Sequence, residues 1–410
     1  MQGFSQALAQ EAVASRKRLD RATTLLEEAI VNQEKWVTLQ HQWSDRLGFT
    51  LAEPLEPLNT VKSVISEESP IPAQYSVLAT DGSQIAPSHH EIAFCYLLNT
   101  GRVALHYGQG RYPLLDSVPE VFYHAQDLYE CRQWGISTEE WMGYRRTISE
   151  AEVLAQLARQ VHPGLPTSLP LSLPTSLVTG AGVEDRFPHL ALVDGSLIYW
   201  FLDGLPPAAR DRLLPPILAA WEQLQAIQVP LMGYLSASRS GETLNFLRLL
   251  RCPYEAPDCD RYCAGQTDKA PCQVLAPLKD ATFWATRLQP GERGPIWKSH
   301  ARILSLYGDQ TIYFCHLHVG SELARIEFPA WVVSDLQDLS LLHQQLGLVM
   351  AQVQKGYGYP IALAEAHNQA VVRGSDRRRF FALLEQEMIQ AGLKNIGTSY
   401  KETRKRESIA

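Results

Sequence analysis

The sequence predicts a mixed α/β protein. A sheet flanked by helices is expected, with a helical segment before it and a cysteine-rich insertion within it. Three observations carry this expectation. Two apolar runs, Val77-Leu78-Ala79-Thr80 and Leu190-Ala191-Leu192-Val193, each end in Asp-Gly-Ser, at Asp81 and at Asp194. Strand-like runs first cluster and then alternate with segments of helical periodicity. Four of the seven cysteines fall between positions 252 and 272.

The chain has 410 residues, 45% of them hydrophobic, and a formal net charge of −7. Such a balance gives no support to wholesale coating of nucleic acid or anionic membrane, though a local basic channel is compatible with it. No apolar stretch reaches the length of a membrane span, and the polar N-terminus lacks a signal-peptide pattern. The expectation is a soluble, cytoplasmic protein without membrane contact. An odd cysteine count in such a chain points to thiols or a metal site before disulfides.

Residues 1–50 read as helical. Leu8, Ala12, Leu19, Leu25, Ile30 and Trp36 recur among polar residues, with no Gly or Pro from position 4 to 47. Residues 51–73 carry Pro54, Pro57, Pro70 and Pro72 and read as a linker. Residues 74–395 read as one domain. It opens with a three-strand meander: a strand ending at Asp81, a second over 92–98, and a third over 102–107 after an Asn-Thr-Gly turn. Helices are expected over 115–160, and the Pro/Ser repeat at 162–180 reads as a flexible insertion. Strand 190–193, helix 207–228, strand 231–236 and helix 241–250 follow. After the cysteines come strands over 311–319 and 324–328, then helices over 334–355, 360–372 and 376–392. Residues 396–410 form a charged tail.

An aspartate ending a buried strand loses much of its water and needs a partner; a metal ion is the partner that also does chemistry. Gly195 would turn the chain sharply or admit a ligand, and Ser196 would aim a hydroxyl or N–H into the same space. A third acid is available on the helix around 144–157, whose buried face is marked by Ile148, Ala151, Leu154 and Leu157. Glu150 and Glu152 flank that face on different sides, and either could serve. Cys252, Cys259, Cys263 and Cys272 have the spacing C-x6-C-x3-C-x8-C, which suits zinc or an iron–sulfur cluster in a structural role. Cys95, Cys131 and Cys315 read as core residues. His89 and His90 read as a loop, and His316 and His318 as a hydrogen-bonded pair on a sheet surface. Arg373, Arg377, Arg378 and Arg379, with Lys401, Arg404, Lys405 and Arg406, make the C-terminus basic. No P-loop is present, so any ATP use would belong to a partner.

Taken in order, the two Asp-Gly-Ser runs, Arg146 with Glu150 on a helix between them, and the closing run from Tyr359 to His367 resemble the NurA nuclease family. The resemblance covers roughly residues 75 to 372. It implies an RNase H-like core and a nuclease dependent on Mn²⁺ or Mg²⁺. It implies DNA as substrate, 5′–3′ exonuclease and single-strand endonuclease activity, and a role in DNA end processing and repair. A HerA-type hexameric ATPase is the implied partner, and a homodimer the implied assembly. The implied catalytic set is Asp81, Glu150, Asp194, Tyr359 and His367, with Asp81, Glu150, Asp194 and His367 on the metal. His367 could bind metal as a neutral imidazole or meet the scissile phosphate as an imidazolium. Tyr359 could hydrogen-bond a phosphate or stack on a base.

Three features depart from the family pattern. The Pro/Ser insertion separates Glu150 from Asp194 and keeps Glu152 in play. The cysteine segment is an addition. Around 233–239, only Arg239 offers a basic residue near a strand end. The alternative reading is a DNA-binding adaptor of a hexameric ATPase with weak cleavage. A small-molecule phosphohydrolase ranks below both, because neither strand is followed by Asp-x-Asp.

Overall fold

The computed structural model describes residues 2–66, 70–88, 91, 93–162, 188–333 and 335–392. His89, His90, the charged tail and all but the first residue of the Pro/Ser insertion lie outside the described residues.

Helices α1 (Gln2–Val31) and α2 (Gln33–Trp43) open the chain. The proline-bearing segment after them holds two short strands, β1 (Ala52–Pro54) and β2 (Lys62–Ser63). Its apolar residues Leu51, Ala52, Leu58 and Val64 are buried, so it is part of a core as well as a connection.

A meander forms, but its strands differ from those expected. β3 (Tyr75–Ile85) runs straight through Asp81-Gly82-Ser83, and β4 (Tyr96–Tyr107) runs straight through Asn99-Thr100-Gly101. β5 (Leu114–Phe122) occupies the start of a stretch expected to be helical. Both turn-like tripeptides are absorbed by continuous antiparallel pairing, with Asp81 opposite Gly101 and Gly82 opposite Thr100. Long-range pairing overrides local turn preference here.

α3 (Ala125–Tyr129) and α4 (Thr138–Val161) follow. Ser137 caps α4 by accepting the Glu140 N–H, and Ile148, Ala151, Leu154 and Leu157 are buried as their spacing predicts. The chain continues through β6 (His189–Asp194), α5 (Pro207–Ala226), β7 (Leu231–Leu235) and α6 (Glu242–Arg248). Short elements come next: α7 (Cys259–Cys263), α8 (Asp280–Trp284), β8 (Glu292–Arg293) and β9 (Trp297–Ser299). β10 (Ile312–His318), β11 (Leu323–Pro329), α9 (Ser340–Lys355), α10 (Ile361–Ala370) and α11 (Gly374–Gln390) complete it.

These elements form two compact units. The first gathers Met1–Pro72, Val193–Trp200 and Pro230–Ile361; the second gathers Ala73–Leu192, Phe201–Val229 and Ala362–Ala410. In the first unit the strand order is β1-β9-β10-β11-β7, antiparallel throughout. Its core joins Leu25 and Leu26 of α1 to Phe246, Trp284, Trp297 and Phe314. His316 lies in this unit and corrects the expectation of a surface pair. It is 1% exposed, its ring stacks on Trp284, and neither ring nitrogen has a hydrogen-bond partner among the described residues. Burial holds its pKa well below the ordinary value, so the ring is neutral.

In the second unit the order is β6-β3-β4-β5. Helix α4 covers one face of this sheet and α10 the other: Gly82 looks onto α4 side chains, and Gly101 onto the α10 backbone. Cys95, Cys131 and Cys315 are buried, as expected.

Candidate active site

Asp81 stands midway along β3, not at its end. Its side chain points toward α10, where its Oδ2 lies 2.7 Å from His367 Nδ1; its Oδ1 accepts the Gly82 N–H at 2.8 Å. His367 is 68% exposed and Asp81 23%, so the pair is open to solvent on the histidine side. The last turn of α10 is pinned to the sheet. The Ser83 hydroxyl and the Asn99 amide both donate to the Ala370 carbonyl. Gly101 makes the approach possible, because an added Cβ would lie 2.4 Å from the Ala366 oxygen and the Ala370 nitrogen.

The next residue, Gly82, faces α4. A Cβ there would meet Arg146 Cγ and Glu150 Oε1, each at 2.5 Å. Arg146 Nε lies 3.3 Å from Glu150 Oε1 in an i,i+4 ion pair. Thr80 donates its hydroxyl to the Glu150 carbonyl at 3.0 Å, and the Thr100 and Ser149 hydroxyls meet at 2.8 Å. Glu150 is therefore the acid placed over β3. Glu152 is exposed, and Arg145 and Glu120 are its charged neighbours. Strand alternation sets Glu150 on the face opposite the Asp81–His367 pair. Among the described residues, these three do not form a set with all donor atoms within 4.8 Å.

Asp194 and Tyr359 lie in the first unit. Asp194 ends β6 as expected but is exposed, which corrects the picture of an acid stripped of water. Gly195, at φ +110°, turns the chain, and its N–H donates to the Tyr234 carbonyl at 2.9 Å. Ser196 does not aim outward. Its hydroxyl and the Leu197 N–H each donate to Glu327 Oε2 at 2.8 Å. Glu327 is held in turn by Arg325, whose Nε donates to Oε1 at 2.7 Å, and Arg325 also pairs with Glu242 at 2.9 Å. The guanidinium sits over the Phe314 ring, 3.5 Å from its centroid. Burial pushes the Glu242 and Asp280 carboxyls up, while the charge of Arg325 opposes that shift.

Tyr234 on β7 was not foreseen. Its hydroxyl donates to Glu322 at 2.9 Å, and the Tyr359 ring meets its ring edge-on at 5.6 Å and 88°. Burial foremost, then Glu322, Tyr359 and Asp194, push its phenol well above the ordinary value. A cavity of about 700 Å³ opens beside Asp194, lined among others by Ser196, Tyr234, Arg239, Glu242 and Asn245. Arg239, the basic residue expected near 233–239, lines this cavity, and so does Arg325 on the neighbouring strand, where it pairs with Leu235. The available signal was two charges alternating on the apolar run Ala324-Arg325-Ile326-Glu327-Phe328.

A further set of metal-type ligands lies in the first unit. Glu53 Oε2 is 3.1 Å from His41 Nε2 and 2.9 Å from His300 Nε2, and the three donor atoms all fall within 4.8 Å of one another. The hydrogen bond with His300 leads in holding the Glu53 carboxyl down at about 2, helped by His41 and opposed by burial. Two imidazoles and a carboxylate are a set that divalent metals accept. Nothing in the sequence joins these residues, since Glu53 and His300 are 247 positions apart. Cys252, Cys259, Cys263 and Cys272 line one small cavity and form no disulfide.

Among the described residues, no helix is long and apolar enough to cross a membrane. Fold and site define a mixed α/β protein that sets an aspartate of a meander strand against a histidine of a late helix. Residues 75–372 match the NurA domain, and the chain belongs to that family. The crystal structure of the NurA nuclease from Sulfolobus solfataricus is similar to it at 11% identity and a TM-score of 0.43, over 89% of this chain and 95% of that one. No curated protein matches the chain.

Proposed function

We propose that this protein is a divalent-metal-dependent deoxyribonuclease acting in DNA end processing. The observation that carries the reading is the Asp81–His367 pair, assembled across 286 positions within the residues that match the NurA domain. The donor chemistry fits Mn²⁺ or Mg²⁺: carboxylate oxygen suits such hard ions, and imidazole nitrogen is accepted by Mn²⁺. Asp81 and His367 would hold the ion, with Asp194 as a further carboxylate of the family pattern; Glu150, the third acid of that pattern, faces away from the pair across β3. When bound, such an ion supplies positive charge against the charge that develops on a phosphodiester under attack. Asp81 is oriented by the Gly82 N–H, and His367 faces Asp81 through Nδ1, which leaves Nε2 either for the ion, as a neutral imidazole, or for a phosphate oxygen, as an imidazolium. Tyr359 would contact phosphate or a base.

In the second unit the meander β3-β4-β5, then α4, then β6 beside β3, supports an RNase H-like reading. The same reading extends to 5′–3′ exonuclease and single-strand endonuclease activity, a HerA-type ATPase partner, a homodimer and a cytoplasmic location. One observation favours a weakly cleaving DNA-binding adaptor instead: Glu150 is engaged by Arg146 on the face away from Asp81.

Cleavage of 5′-labelled single- and double-stranded DNA with Mn²⁺, Mg²⁺ or EDTA separates the two. The nuclease reading expects EDTA to abolish cleavage, and Asp81→Asn and Asp194→Asn each to lower it by ~100-fold or more. Cleavage that survives both substitutions places the chemistry elsewhere. Binding without cleavage by the native protein favours the adaptor.

A further inference from the structure

The cysteine segment has almost no apolar core of its own. Among the described residues between positions 252 and 272, the buried apolar ones are Pro257, Cys259, Ala270 and Cys272. Its four thiols nevertheless converge. Cys252, Cys259, Cys263 and Cys272 line one small cavity, closed on its other sides by Leu47, Phe49 and Leu249.

Local structure is arranged to bring them there. Asp258 caps α7 by accepting the Arg261 N–H at 2.9 Å, which places Cys259 and Cys263 one turn apart. Ala264 and Gly265, at φ +49° and +69°, then reverse the chain toward Cys272. A buried cation completes the setting: Arg248 is 2% exposed, stacks over Phe49 at 4.1 Å, and donates its Nε–H to Cys272 Sγ at 3.1 Å. A guanidinium N–H directed at sulfur is a hydrogen bond of the kind that orients a ligating sulfur from outside the metal's own shell.

The spacing discriminates between metals. A single tetrahedral zinc, with Zn–S near 2.3 Å, draws its sulfurs to about 3.8 Å from one another. No three of these donors lie within 4.8 Å of one another, although all four surround the same space. A polynuclear cluster, whose irons each take one thiolate, needs the wider set. We propose that Cys252, Cys259, Cys263 and Cys272 bind an iron–sulfur cluster of the four-iron type that fixes residues 252–272 in place.

The test is metal analysis of the full chain, produced with iron supplied and purified without oxygen, beside Cys263→Ser and Cys259→Ser. Iron, acid-labile sulfide and zinc are measured together with absorbance near ~400 nm. The expected result is roughly four irons and four sulfides per native chain, falling at least ~5-fold in either variant. Zinc without sulfide, lost on Cys263→Ser, overturns the cluster in favour of a single ion. A native protein free of iron, or iron unchanged in both variants, also overturns it. The native chain's own content is decisive even where a variant misfolds.

Discussion

Asp81 and Gly82 are neighbours whose side-chain positions serve opposite faces of β3, so each probes a different partner. A Gly82→Ala methyl would press on Glu150 Oε1 and Arg146 Cγ, both 2.5 Å from its position. The ends of those side chains must move, at a cost of about 1–3 kcal/mol measurable as a lower urea midpoint. If Glu150 acts in cleavage, its displacement lowers the rate by ~10-fold or more, since small misplacements of catalytic groups are costly. Glu152→Gln, on an exposed part of α4, should leave the rate within about twofold. An unchanged rate in Gly82→Ala would remove Glu150 from the machinery. At this scale the sequence showed which residue types matter but not where they point. Asp81 and His367 were grouped only through the family resemblance, and their direct 2.7 Å contact is what the fold adds. Arg325 and the set His41–Glu53–His300 were not, because each depends on strand neighbours that only the fold supplies.

Among the elements, α10 depends most on a single position. It is held by hydrogen bonds from Ser83 and Asn99 to its last turn and by the bare backbone of Gly101. In Gly101→Ala, a methyl 2.4 Å from two backbone atoms of α10 cannot be relieved by rotating a side chain. The helix must lift, at ~3 kcal/mol or more, with loss of the Asp81–His367 contact. Thermal unfolding and DNA cleavage should therefore fall together, whereas His367→Ala, at an exposed position, should lower cleavage and spare the melting temperature. Helices were the elements best read from sequence: the buried face of α4 follows its apolar spacing directly. The meander strands were misread because Asp-Gly and Asn-Thr-Gly signal turns locally, while eleven consecutive cross-strand pairs carry β3 and β4 through them.

For the molecule as a whole, buried His189 and partly buried His343 join His316 in setting an acid limit. Burial foremost, then the charges of His162, Arg111 and His106, pushes His189 down to about 4; burial and then Arg293 push His343 down to about 4. Between pH 6.5 and 4, the unfolded chain binds protons at these two sites that the folded chain refuses. Stability therefore rises with pH across that window and falls as pH is lowered through it, by at most ~1.4 kcal/mol per pH unit per group. Urea midpoints measured from pH 4 to 7 should show this slope, and His189→Gln should flatten it by about one proton.

The order of synthesis gives the interleaved units a temporal consequence. β1 pairs with β9, Ala52 opposite Ser299, so the first sheet edge leaves the ribosome long before its partner exists. At about 5–20 residues per second, that wait is on the order of tens of seconds. For most of it, the apolar face of α1, with Leu25 and Leu26, lacks the Phe246 and Trp284 that later cover it. The β3–β4–β5 hairpins, by contrast, need only near neighbours and can close as they emerge. Asp81 is thus set in its sheet early and meets His367 only after a further 286 residues are made, so a ribosome-bound chain can hold a formed sheet yet no formed Asp81–His367 pair.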